Sequence, residues 1–235
     1  FQQWGPTLSI IAGVCWFGLL FFAGITSSLA MGTPWMGFMR DEFGWSKNKG
    51  AWSFGAMILV LGLPTVIFFQ EGVFDEYDYW AGTVSLVVFA MLETILFSWV
   101  FGMDKGWREI ISGADIKVPN IYKFIIKYVT PIMLIIIFLG SLLKPIDNDW
   151  SGNVSSLLSG NGWTLDNGSI IKTVMHAGIK NQIALATDPV IIEQLQDKIV
   201  YLNFARLLLV GLFVFISTLV YVAFRKRRRE GRATI

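Results

Sequence analysis

The sequence predicts an all-α membrane protein with five crossings, and three observations carry that prediction. Of its 235 residues, 54% are hydrophobic and 15% aromatic, and the mean hydropathy is +0.58. So apolar a chain matches polytopic membrane proteins and not soluble globules. Five segments, at residues 8–39, 51–69, 79–102, 122–143 and 202–224, are long and apolar. At about 1.5 Å per helical residue each can cross a hydrocarbon layer about 30 Å thick. The net charge is only +2, but the charges are sorted between alternate connections. Arg40, Lys47 and Lys49 join the first and second segments, and Lys105, Arg108, Lys117 and Lys123 the third and fourth. Glu71, Asp75, Glu76 and Asp78 join the second and third, with no basic residue among them.

The first segment carries three hydroxyls in a row at membrane depth, in the run Phe21-Phe22-Ala23-Gly24-Ile25-Thr26-Ser27-Ser28-Leu29-Ala30-Met31. In lipid a hydroxyl needs a hydrogen-bond partner, so these either bond back to carbonyls one turn earlier or face protein, water or an ion. Ala23, Thr26 and Ser27 stand at i, i+3 and i+4, which sets one carbonyl and two hydroxyls on one helix face. Three neutral oxygens without nitrogen or sulfur suit a hard cation such as sodium. Helix glue and ion site both fit that spacing. Pro34, in Gly32-Thr33-Pro34, removes a backbone donor and predicts a kink toward the following connection. Cys15 is the single cysteine, so no internal disulfide forms.

The second segment holds Gly55, Gly62 and Pro64 and no ionisable side chain, and reads as close helix packing. The third opens on Asp78-Tyr79-Trp80, an acid where it favours the helix dipole, beside interfacial aromatics. Glu93 lies about four turns further in, where a carboxyl is costly unless paired, protonated or hydrated, and is expected to face the interior, either stapling helices by a hydrogen bond or serving as a proton or ion partner. After Phe101 a polar connection is expected, and Thr130-Pro131 predicts a mild kink in the fourth segment. From Lys144 to Val200 the composition turns to Asn, Ser, Gly and Asp, with Ile170, Ile171, Val174 and Met175 at helical spacing. Asp188-Pro189 supplies a cap and first-turn proline for a helix running into the last crossing. Asn153-Val154-Ser155 and Asn167-Gly168-Ser169 match the short glycosylation pattern, and His176 is expected at the surface.

Arg225-Lys226-Arg227-Arg228-Arg229 and Arg232 follow the last segment. By the positive-inside rule the carboxy terminus and the basic connections are cytoplasmic and Phe1 lies outside. The cluster reads as a topology anchor or as an anionic-lipid site. The organisation is thus a membrane core over 1–143, a long outer loop over 144–200, a last crossing over 201–224 and a basic tail over 225–235. A start at Phe1, with no initiator methionine or signal region, points to the carboxy-terminal part of a longer protein. No phosphate-binding loop, Cys/His metal cluster or Ser/His/Asp constellation appears, so neither an enzyme nor a nucleic-acid binder is expected.

Phe21–Met31, with Pro34 and Phe38-Met39-Arg40-Asp41-Glu42-Phe43-Gly44 after it, resembles the eighth membrane helix of the neurotransmitter:sodium symporter family. Asp75-Glu76-Tyr77-Asp78-Tyr79-Trp80-Ala81-Gly82-Thr83 resembles the start of its tenth. The resemblance covers nearly all of the chain outside 144–200. It implies helices eight to twelve of an inverted-repeat (5+5) secondary transporter in the plasma or inner membrane, the amino-terminal half being absent from this chain. The implied activity is sodium-coupled symport of an amino acid or related amine by alternating access, with chloride left unassigned. The implied sites are a sodium ion at Ala23, Thr26 and Ser27, and Ser27 and Met31 at the side-chain end of the substrate pocket. Asp78 matches the extracellular gate and Asp41 the intracellular one, although Arg40 stands where some relatives carry an acid. Two competing classes are a non-transporting helical membrane subunit, to which the long loop points, and a sodium-independent transporter of the same fold.

Overall fold

The computed structural model describes residues 4–115 and 118–231; Phe1, Lys117 and Arg232 lie outside the described residues. Among the described residues, five helices are long and apolar enough to cross a membrane: α1 (Pro6–Phe43), α2 (Lys47–Ile67), α3 (Val73–Ile111), α4 (Ile121–Leu142) and, last of these, α8 (Pro189–Arg229). They match the five expected segments; α1, α3 and α8 extend beyond them at both ends, while α2 and α4 end one or two residues earlier than expected. Between α4 and α8 stand three short helices, α5 (Trp150–Leu158), α6 (Ile170–Val174) and α7 (Ala177–Leu185). The protein is an all-α integral membrane protein.

The chain divides into two compact units. The first comprises residues 1–67 and 211–235, and so α1, α2 and the end of α8. Gly44 ends α1 in the left-handed region at φ 67, its N–H returning to the Arg40 carbonyl at 3.0 Å. α2 then packs against the second half of α1. The glycines that allow this are not the expected Gly55 and Gly62, which have nothing within 4 Å of an added Cβ. They are Gly32, which lies directly beneath the Phe54 ring, and Gly50, whose added Cβ would sit 3.6 Å from Met36. Trp35 Nε1 donates to Ser53 Oγ at 3.0 Å, and the Trp35 ring lies 6.3 Å from that of Phe215 in α8. α1 remains one helix through Pro34.

The second unit spans residues 68–210, and its centre is α3 packed along α4. Three stretches in these helices have π geometry: Asp78–Val84, Leu96–Gly102 and Ile125–Val129. Such bulges realign the carbonyls of a turn, and Trp99 Nε1, in one of them, donates to the carbonyl of Lys127 in another at 2.7 Å. The connection expected after Phe101 is helical to Ile111. It buries Met103, Gly106 and Trp107 and leaves Asp104, Lys105 and Arg108 exposed, an amphipathic pattern that a search for apolar length passes over.

The loop over 144–200 is a folded cap. Lys144 and Asp166 pair across a small antiparallel bridge, Asp166 N–H donating to the Lys144 carbonyl at 2.9 Å. Asp149 caps α5 through Gly152 N–H at 2.9 Å. Ser169, fully buried, caps α6. Asp188 Oδ1 accepts from Val190 N–H at 2.9 Å, so the proline-led helix start falls where the sequence puts it, and residues 189–200 belong to α8 and not to the loop. Asn153 is buried, with its amide on the Asp149 carbonyl and its Oδ1 on Thr164 N–H and Oγ1. It holds the cap together and is no accessible glycan acceptor.

Candidate functional site

The hydroxyl-bearing stretch of α1 is unbroken helix, which brings the three expected oxygens to one face. Thr26 Oγ1 lies 2.9 Å from the Phe22 carbonyl oxygen and 3.0 Å from that of Ala23. One hydrogen therefore has two acceptors within reach, the Phe22 and Ala23 carbonyls. With that hydrogen on Phe22 O, the second lone pair of Ala23 O is free. Ser28 Oγ donates to Gly24 O at 2.8 Å and is satisfied as helix glue. Ser27 Oγ has no hydrogen-bond partner among the described residues. The run therefore holds one hydroxyl spent as helix glue, Ser28, and one without a partner among the described residues, Ser27.

Ala23, Thr26, Ser27 and Met31 are all exposed, and the most apolar window of α1 buries nothing against the rest of this chain. Met31 is 76% exposed, one turn from Ser27. The oxygen face is thus exposed.

Asp78 opens a π stretch, is exposed, and has no hydrogen-bond partner for its carboxylate among the described residues. Gly82, one turn on, makes room for it, since an added Cβ there would come 2.9 Å from Asp78 Oδ1. Asp41 is also exposed and accepts from its neighbour Arg40 Nε at 3.0 Å. The basic residue that looked out of place is the local counter-charge. Glu93 departs from expectation. It shares an exposed stripe with Leu86 and Phe89, at i−7 and i−4, and staples nothing among the described residues.

Two buried acids escaped the sequence reading, each beside the acid that drew attention. Glu42 is 8% exposed and takes Arg227 through both carboxylate oxygens, Nε to Oε2 at 2.9 Å, while Lys226 Nζ donates to its backbone carbonyl at 2.7 Å. Glu76, also 8% exposed, accepts from Trp80 Nε1 at 2.6 Å and pairs with Arg206 Nε. Arg206 further donates to the carbonyls of Val174 at 2.7 Å and Thr173 at 2.9 Å, where α6 ends. One guanidinium so ties α3, α6 and α8. Next to it His176, expected at the surface, is buried in the left-handed region at φ 53 and hydrogen-bonds Asn203 Oδ1 through Nε2 at 2.9 Å. Arg206 itself was legible as the charge directly before the uncharged run Leu207–Phe224.

Five helices long and apolar enough to cross a membrane, among the described residues, define an integral membrane protein. The sequence profile of the sodium:neurotransmitter symporter family matches residues 6–180, and the chain belongs to that family, whose members are transporters and not enzymes. It is similar to an uncharacterized sodium-dependent transporter of Methanocaldococcus jannaschii, 30% identical over 135 residues, 55% of this chain and 26% of that protein. It is also similar to sodium-dependent nutrient amino acid transporter 1 of Drosophila melanogaster, 27% identical over 136 residues, 57% of this chain and 21% of that protein. The chain therefore spans a minor part of the relatives it matches.

Proposed function

We propose that this chain is the scaffold side of a sodium-coupled symporter of an amino acid or related amine. It would supply helices eight to twelve of an inverted-repeat transporter, the rest coming from an amino-terminal half of the same protein. The reading is supported by family membership, by the sodium-dependent relatives, and above all by the open oxygen face of Ala23, Thr26 and Ser27 on α1. Sodium is cargo here. Gripped between that face and a helix of the missing half, it holds two parts of the transporter together, and its departure lets the inner path open. Coupling is then differential stabilisation of one conformation by the ion, with no bond in the substrate made or broken.

Ser27 and Met31 would line the side-chain end of the substrate pocket, Asp78 would close the outer path and Asp41 the inner. The basic connections and the carboxy terminus would be cytoplasmic. The contact between Glu42 and Arg227 supports that orientation, since it joins the end of α1 to the end of α8.

The test is uptake by the complete protein carrying Thr26→Ala with Ser27→Ala. The half-saturating sodium concentration should rise at least about tenfold, the loss of two weak oxygen ligands, while surface expression is unchanged. Unaltered sodium dependence removes the ion site. Uptake that never needed sodium would point to a sodium-independent transporter of the same fold.

A further inference from the structure

The five cations at the end of α8 are sorted by face. At about 100° per residue, Ala223, Lys226 and Arg227 fall on one side of the helix and Tyr221, Phe224, Arg225 and Arg228 on the other, with Arg229 at the edge of the second group. The first side is occupied, Ala223 being buried and Lys226 and Arg227 both spent on Glu42. The second side is a shallow groove lined by Tyr221, Phe224, Arg225, Arg228 and Arg229, with no acid in it. The Arg225 guanidinium lies 5.7 Å from the Tyr221 ring centroid. A second groove shares Tyr221, Arg225 and Arg229 with it and adds Val222, Lys226 and Glu230, so the site is bordered by one acid on that side while Phe224 and Arg228 belong to the acid-free groove alone. A topology anchor needs only total charge and gives no reason for this division.

We infer that the Tyr221–Arg229 groove binds an anionic phospholipid of the leaflet that α8 leaves. Its phosphate is held by Arg225, Arg228 and Arg229, and the upper acyl region rests on Tyr221 and Phe224. The position fits. Leu207–Phe224 carries no charged side chain and covers about 27 Å as helix, so the aromatic rings reach headgroup depth as the guanidinium groups leave the hydrocarbon. The chemistry fits as well. Guanidinium is weakly hydrated and offers a planar fork of donors to phosphate, and cations just beyond a crossing attract acidic lipid. This inference needs only that α8 crosses a membrane, and it stands whether or not sodium binds α1.

The complete protein in detergent is titrated with phosphatidylglycerol and, separately, phosphatidylcholine, and bound lipid is counted by native mass spectrometry. Phosphatidylglycerol should be retained in preference. Arg225→Gln with Arg228→Gln and Arg229→Gln should weaken it at least about tenfold and leave phosphatidylcholine unchanged. Lys226→Gln with Arg227→Gln, on the other face, should alter it by less than about twofold. Equal retention of the two lipids by the unsubstituted protein overturns the site without any variant. So does an equal loss in both variants, which would mean unsorted charge, or displacement of the lipid by inorganic phosphate, which would mean a bare anion site.

Discussion

At the scale of the residue, the deciding quantity is where each polar atom finds its partner. Thr26 and Ser28 sit two apart in one helix and end differently: Ser28 has a single acceptor one turn back, while Thr26 divides its hydrogen between two. If the Thr26 hydrogen points to Phe22 O, the second lone pair of Ala23 O is left free. In the cap, the Gly168 backbone N–H and, behind it, Lys144 hold the Asp166 carboxyl below the ordinary aspartate range. Because the folded state depresses that value, the stabilisation is complete above the ordinary aspartate range and is lost as pH falls through the folded one. Protection of the amides over 164–170 against hydrogen exchange, relative to their intrinsic rates at each pH, should therefore fall below the ordinary range, and Asp166→Asn should abolish that dependence. Spacing marked Ala23, Thr26 and Ser27 as a set, because a helix fixes neighbours at i+3 and i+4. It could not mark Asn153 or His176, whose partners lie 11 and 27 residues away.

At the scale of the element, apolar length and charge placement made the five crossings legible to within a few residues at most ends. α3 and α8 were underestimated because amphipathic and polar turns continue both helices past the apolar window. The cap over 144–200 was legible as punctuation, with Ser169 and Asp188 as helix starts, but its closure depends on Arg206. Removing one partner of a buried ion pair leaves the other uncompensated. Arg206→Ala should cost about 3 kcal/mol or more of the unit's stability and should speed exchange over 170–185 first, where the guanidinium holds the Thr173 and Val174 carbonyls. Replacing both partners, with Glu76→Gln and Arg206→Met, should recover part of the loss. A double variant no better than Arg206→Ala would show that the carbonyl contacts, and not the pair, carry the effect.

At the scale of the whole molecule, orientation follows from how charge is divided between connections. With Cys15→Ser as background, Ser46→Cys and Leu158→Cys place single thiols in exposed positions, one between α1 and α2 and one in the cap. A membrane-impermeant maleimide applied to intact cells should label the second and not the first; the reverse pattern would invert the assignment. The sequence by itself determined the all-α membrane class, the number of crossings, the family resemblance and the trio on α1. These rest on composition and on short-range periodicity, which a linear reading contains. Only the tertiary structure decided that Glu42 and Glu76, not Asp41 and Asp78, are the buried partners of arginine, and that the cations of α8 divide by face. Arg206 lies 130 residues from Glu76 and Arg227 lies 185 from Glu42, and at such separations pairing is fixed by how helices pack, which no local spacing records.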